Sequence, residues 1–211
     1  MPTVLSMTSS ALGRRDEMPN VLLAERIAAT ADRTAVTALL VGLASSERAI
    51  SYDCIKVLYE VGERAPHLVA EHAKTFVSLL DREENRLVWG GMTALNAIAM
   101  ETPAELFRAR ARIMSAIRRG SVITQDTGVQ ALARMAGTSV AYRRAVLPFL
   151  LEHLATCRSK DVPQRAERIQ PAVDRAHLDA FLGVLAQRAH GASPAGQRRI
   201  RAVLRKLPPQ G

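Results

Sequence analysis

Aromatic side chains are scarce in this 211-residue chain, which has one Trp, three Tyr and four Phe. A platform for single-stranded nucleic acid needs several exposed rings on which bases stack, so that class is disfavoured. Backbone contact to a duplex needs none. Only two cysteines occur, Cys54 and Cys157. Scattered thiols of this kind form neither a disulfide framework nor a metal motif, and both are expected to be small buried apolar residues. Long apolar runs are missing too: the longest, around Ala38 to Ala44, falls well short of the ~18 to 20 residues that span a bilayer. Residues 1–18 lack the basic start and apolar core of a signal peptide. They are expected to form a flexible tail, as are residues 208–211, on a protein located in the cytoplasm.

Strand signals are sparse, since no Asn-Gly or Asp-Gly lies between apolar runs. Catalytic patterns are equally thin. There is no Gly-rich phosphate loop and no Gly-x-Ser-x-Gly elbow; Gly90-Gly91 falls inside a helical stretch and suits close helix packing. His67 and His72 flank Glu71 in a way close to a zinc-protease pattern. Five residues apart, however, they stand about 500° around a helix and on different faces. His153, His177 and His190 are dispersed, without cysteine or carboxylate partners at ligand spacing. No metal, cofactor or small-molecule substrate is expected.

What the chain does have is a repeat. Glu47 to Glu83, Glu84 to Gly120 and Ser121 to Cys157 lie over one another without a gap, at a period of 37. Such a period signals stacked supersecondary units. Leu58, Leu95 and Leu132 share one register; Ile55, Met92 and Val129 sit three places earlier, and Val61, Ile98 and Met135 three places later. That spacing, with small residues between, describes a helix face pressed against another helix. A break follows each, with Pro66 and Pro103 at the same register, where a fixed φ suits the first turn of a second helix. Asn20 to Ala28 with Arg33 to Leu43 reads as a worn copy upstream. Gln164 to Ile169 with His177 to Ala189 reads as another downstream, its first helix ended or kinked by Pro171. A last helix, Pro194 to Leu207, has Ile200, Val203, Leu204 and Leu207 on one face and closes the array.

The segments Met92-Thr93-Ala94-Leu95-Asn96-Ala97-Ile98 and Val129-Gln130-Ala131-Leu132-Ala133-Arg134-Met135 resemble the first-helix pattern of the HEAT and armadillo-like α-solenoids. Tetratricopeptide repeats fit less well, because their period is about 34 and their Trp, Gly and Tyr signature is missing. The resemblance implies an all-α, right-handed solenoid of about five stacked antiparallel helix pairs plus a C-terminal capping helix. This would be a single repeat domain over residues 19–207. It also implies a curved rod with a concave face used for binding, and names no ligand.

Charge is the second strong feature. The net charge is +9, of which +7 falls in residues 158–211. Arg198, Arg199, Arg201, Arg205 and Lys206 lie on the terminal helix with no acid between them, and Arg108, Arg112 and Arg119 are spaced to share one face of the second helix of the central repeat. Like charges gathered on a face are tolerated in solvent and become favourable opposite an anionic partner. The reading that follows is a non-enzymatic scaffold. It binds a macromolecule, an acidic protein above all, through its concave face and basic C-terminal region, with Arg108, Arg112, Arg119, Arg198, Arg201 and Arg205 in contact.

A second reading is kept open. Tyr52, Trp89 and Asp126 occupy equivalent repeat positions. Some solenoids of this class are DNA glycosylases acting on alkylated purines with Trp, Asp and Arg, so Trp89, Asp126 and Arg86 resemble a duplex-DNA site. An aromatic face attracts a cationic base, and a carboxylate stabilises positive charge at the reacting centre. The plainer expectation is that Trp89 packs between repeats and Asp126 caps a helix or faces solvent. The related bilin lyases offer a third class, but no pigment site is evident.

Overall fold

Apolar residues three and four places apart draw the described part of the chain into twelve α-helices, with no strand among the described residues. These are residues 3–207 of this computed structural model. In order the helices are α1 Met18–Thr30, α2 Arg33–Gly42, α3 Arg48–Arg64, α4 Ala73–Leu79, α5 Asn85–Ala97, α6 Pro103–Arg108, α7 Arg110–Arg119, α8 Val122–Gly137, α9 Val140–Thr156, α10 Val162–Ile169, α11 Leu178–Arg188 and α12 Pro194–Leu204. They gather into two compact units, Met1–Gly128 and Val129–Gly211, so the repeat domain expected over 19–207 divides within α8.

Local chemistry sets the helix ends. Ala31, the one non-glycine residue with positive φ among those described, closes α1, and the Asp32 side chain then accepts from the Ala35 N–H to cap α2. Pro103 and Pro194 occupy the first turns of α6 and α12, where the missing N–H costs nothing. Pro66 opens a short 3₁₀ turn rather than a full helix. The expected second helices are therefore broken. Two 3₁₀ turns, Pro66–Leu68 and Ala70–His72, precede α4, and a kink at Ala109 separates α6 from α7. After α10 a 3₁₀ turn holds Pro171, as its missing donor requires.

In the first unit α3 lies between α1 and α5, while α2 rests on α3 and α4 on α5. The leucines, isoleucines and small residues of the repeat face inward: Ile55, Leu58, Met92 and Leu95 are completely buried, as is Phe76 of α4. Close approach of backbones explains the glycines. A Cβ at Gly90 would meet the Ile55 side chain of α3 at 2.6 Å, and one at Gly91 would meet Leu79 Cβ and the Phe76 carbonyl of α4 at 2.9 and 3.0 Å. Between α2 and α3 the large and small partners are exchanged, since Gly42 of α2 leaves room for the Cys54 thiol of α3. In the second unit α10 packs against α12 and α9, and α11 against α9, around Leu150, Ile169 and Phe181. Ile200 and Val203 fix α12 there, whereas Leu204, expected on the same face, is 40% exposed.

Residues 3–17 differ from the expected flexible tail. A 3₁₀ turn, Leu5–Met7, leads into Thr8 and Ser9, both buried. The Ser9 N–H donates to Asn20 Oδ1 at 2.9 Å, and the Ser10 N–H and hydroxyl donate to Asp53 Oδ2 at 2.8 and 2.5 Å. Asn20 Nδ2 donates to the other Asp53 oxygen at 2.8 Å. The carboxylate is buried and would be costly without these donors. The segment is thereby tied to α1 and α3. Residues 208–211, expected as a C-terminal tail, lie outside the described residues.

Candidate functional site

The two arginine groups expected to meet a partner have different surroundings. Arg108 ends α6 and Arg112 and Arg119 lie on α7, so the kink at Ala109 prevents the three from sharing one continuous helix face. All are exposed, but acids of the same unit reach them. Arg108 pairs with Glu105 and Arg112 with Asp81, while Arg119 donates to the Leu80 carbonyl at 2.7 Å and lies 3.4 Å from Asp81. Asp81 follows the end of α4 and sits across from α7, a juxtaposition not visible in the local sequence. Arg108 and Arg112 border a cavity of about 370 Å³ whose walls include Ala73, Val77 and Ala109. The expected cationic face is thus largely neutralised at its own surface.

On α12, Arg198 and Arg201 are exposed, and Arg205 caps its C-terminal end, where a cation is favoured by the helix dipole. None of the three forms a hydrogen bond or ion pair through its side chain with the described residues. Their neighbour Arg199 does: it grips Glu167 of α10 with two bonds of 2.8 and 2.6 Å. That hydrogen bonding holds the Glu167 carboxyl below its ordinary range, helped by the charges of Arg199, Lys206 and Arg168.

Trp89 and Arg86 lie on α5 and Asp126 on α8, and each has its own surroundings. Trp89 is half-buried and tilts against Tyr59 of α3, with ring centroids 5.8 Å apart. Arg86 stands over the Tyr52 ring at 5.3 Å and pairs with Glu17 before α1. Tyr52 and Trp89 therefore have other partners than each other. Lys56 covers the Tyr59 ring at 4.9 Å and bonds Glu60 at 2.6 Å. Burial works against the Lys56 charge, but the hydrogen bonds it donates to Glu60 and Tyr59 outweigh it and raise its pKa. Asp126 is half-buried on α8 and retains an interaction within the molecule. The two tyrosine rings of α3 are thus engaged by the protein's own cations, and Trp89 of α5 packs against one of them.

The cysteines are free. Cys54 is completely buried, and desolvation, with the neighbouring Asp53 charge, pushes its thiol up to about 12. Cys157 is partly exposed; burial raises its pKa, and its thiol donates to the Leu154 carbonyl. His67 is exposed and His72 lies 3.9 Å from Glu71. No group of His, Cys, Asp and Glu able to hold a metal occurs among the described residues, nor any helix long and apolar enough to cross a membrane.

Solved structures give the fold its likeness. An engineered protein matches 97% of this chain and 98% of its own, at TM-score 0.65 and 17% identity. A designed armadillo repeat protein in complex with the peptide (KR)4 matches 96% of this chain and 87% of its own, at TM-score 0.66 and 12% identity. Another designed armadillo repeat protein matches 96% and 98%, at TM-score 0.62 and 13% identity. The fold is an armadillo-like α-solenoid. No family model matches the sequence, and no match was found among curated proteins.

Proposed function

We propose that this armadillo-like chain is a non-enzymatic binding module that captures an acidic protein segment in the cytoplasm through its second unit. One observation carries the reading. The unit Met1–Gly128 has 15 basic and 15 acidic side chains, whereas Val129–Gly211 has 14 and 5, so the whole net charge of +9 belongs to the second. Its terminal helix offers Arg198, Arg201 and Arg205 to solvent. A rigid surface bearing oriented cations steers an anionic partner and limits the ordering cost of association. Arg108, Arg112 and Arg119 take a lesser part, being already matched by Glu105 and Asp81.

Within the fold we infer a 37-residue HEAT-like pairing, supported by the starts of α3, α5 and α8 at Arg48, Asn85 and Val122. Protein is favoured over duplex DNA because the residues suggested for a base site, Arg86 and Trp89, are engaged by Glu17, Tyr52 and Tyr59. The test is titration of the full chain with a glutamate-rich peptide and with a DNA duplex across a salt series. Saturable, salt-sensitive peptide binding is expected. No peptide binding at low salt, or a much tighter duplex complex, would overturn the reading.

A further inference from the structure

Two sides of α12 have different tasks. Arg199 is spent on α10, where it holds Glu167. Gln197, Ile200, Arg201 and Leu204 follow the i, i+3, i+4 and i+7 spacing of a single stripe on another side. Together with Ala189 and His190 of the 3₁₀ turn Ala189–Gly191, this stripe lines a groove of about 280 Å³. Pockets that enclose a small molecule start at roughly 300 Å³, so this one suits a single side chain.

The floor of the groove is apolar and its rim is basic. Ala189, the buried Ile200 and Leu204 form the floor, and Leu204 is 40% exposed. Gln197 is held in the wall by donating to the Ala192 carbonyl at 3.4 Å. Arg201 lines the rim, and Arg198 and Arg205 fall within about 60° of it around the helix. None of the lining residues is acidic, and no acid follows Asp179 in the chain. Two other cavities lack this combination. The groove beside α1 is lined by Leu12, Leu22 and Leu23, but its Arg14 is taken by Asp16. The cavity beside α4 has its arginines held by Glu105 and Asp81. An exposed leucine is ordinary by itself. At the edge of a groove rimmed by guanidiniums without acid partners, it describes an anchor pocket in which an apolar side chain is desolvated inside a charged ring.

We propose that the groove between α12 and the turn before it seats one leucine-sized side chain of an acidic protein segment, whose neighbouring carboxylates meet Arg201 and Arg205. The proposal rests on the acidic-partner reading above and adds what fixes the partner's position. Arginines alone attract any anion. The apolar floor selects among them, because burial of the anchor contributes a free energy that salt does not screen. Charge brings the segment in, and the groove sets its register.

The test uses the full chain and two short fluorescent peptides read by anisotropy, one with leucine between pairs of glutamates and one with glycine in its place. Wild type should bind the leucine peptide about tenfold more tightly, the return expected for removing one leucine side chain from water. The ratio should persist as salt rises, while both affinities fall. Leu204→Gln, at an exposed position, should reduce the ratio to within about twofold and leave the glycine peptide unaffected. Arg201→Gln should weaken both peptides by the same factor. Leu22→Gln, in the groove beside α1, should change neither. Equal affinity of wild type for the two peptides would overturn the groove and leave the acidic-partner reading standing. So would a leucine preference that survives Leu204→Gln or disappears in Leu22→Gln. A dimer in sedimentation that Leu204→Gln disperses would give the groove to a second copy of this chain and overturn the proposal. Absence of binding by both peptides at low salt would overturn the acidic-partner reading itself.

Discussion

The two units treat their charges in opposite ways. In the first, Arg33, Arg64, Arg82, Arg86, Arg108 and Arg112 each hold an acid, and Lys56, Glu60, Arg64 and Glu25 form a chain of ion pairs along α3 and α1. In the second, arginines outnumber available acids, and the surplus on α12 faces water. Similar helical material thus yields a balanced surface in one unit and a cationic one in the other. Mutual repulsion on α12 is a cost to the isolated protein that an anionic partner removes. A surface kept this way points to association, whereas the paired surface points to holding helices in place.

The comparison breaks most visibly in the cores. Gly91→Val forces a branched side chain against Leu79 and the Phe76 carbonyl, and should cost about 3 kcal/mol by urea unfolding. Asp53→Ala leaves Ser10 and Asn20 without their acceptor. A loss of about 2 kcal/mol is expected, with faster amide exchange at Ser9 and Ser10. Next comes a pH effect. An unfolded cysteine ionises near 9.0, whereas Cys54 holds its proton to about 12. Its contribution is complete below the unfolded value and is lost as pH rises from there toward the folded one, about 1 kcal/mol by pH 10. Native Cys54 should also resist alkylation at pH 8 and react once unfolded. In the second unit, Gly183 lies on α11 with open space around it, so Gly183→Ala should stabilise by up to about 1 kcal/mol, opposite in sign to the Gly91 change. Smallest is Arg199→Gln. Its exposed pair with Glu167 should contribute about 0.5 kcal/mol at pH 7, and this is lost as pH falls through the lowered Glu167 pKa.

Sequence periodicity reveals much of this fold because burial repeats. Leu58, Leu95 and Leu132 occupy one register and all three are completely buried, so an apolar spacing rule suffices to place them. The Gly90-Gly91 pair was legible for the same reason. The second helices were not: a proline announces a start, but whether a 3₁₀ turn or an α-helix follows depends on the packing of the next residues. Nor was the docked segment 3–17, whose anchor Asp53 lies 43 residues beyond Ser10. Ion pairing failed to show for a similar reason, since Arg112 and Asp81 meet across 31 residues. One signal of the groove was present in the sequence, where Ile200 and Leu204 share a face of the last helix and its arginines have no acid between them. His190, which borders the groove from a separate turn, gave none.

The central claim is that recognition of an acidic partner resides in the second unit. Its most direct test is binding of the glutamate-rich peptide by two charge-reversed proteins, compared with wild type across a salt series. Arg198→Glu, Arg201→Glu and Arg205→Glu together should abolish capture and flatten its salt dependence while leaving thermal stability intact. Arg108→Glu, Arg112→Glu and Arg119→Glu together should lower stability, by placing new acids beside Glu105 and Asp81, and leave peptide affinity within about twofold. Equal loss of capture in both proteins, or loss confined to the second, would contradict the account.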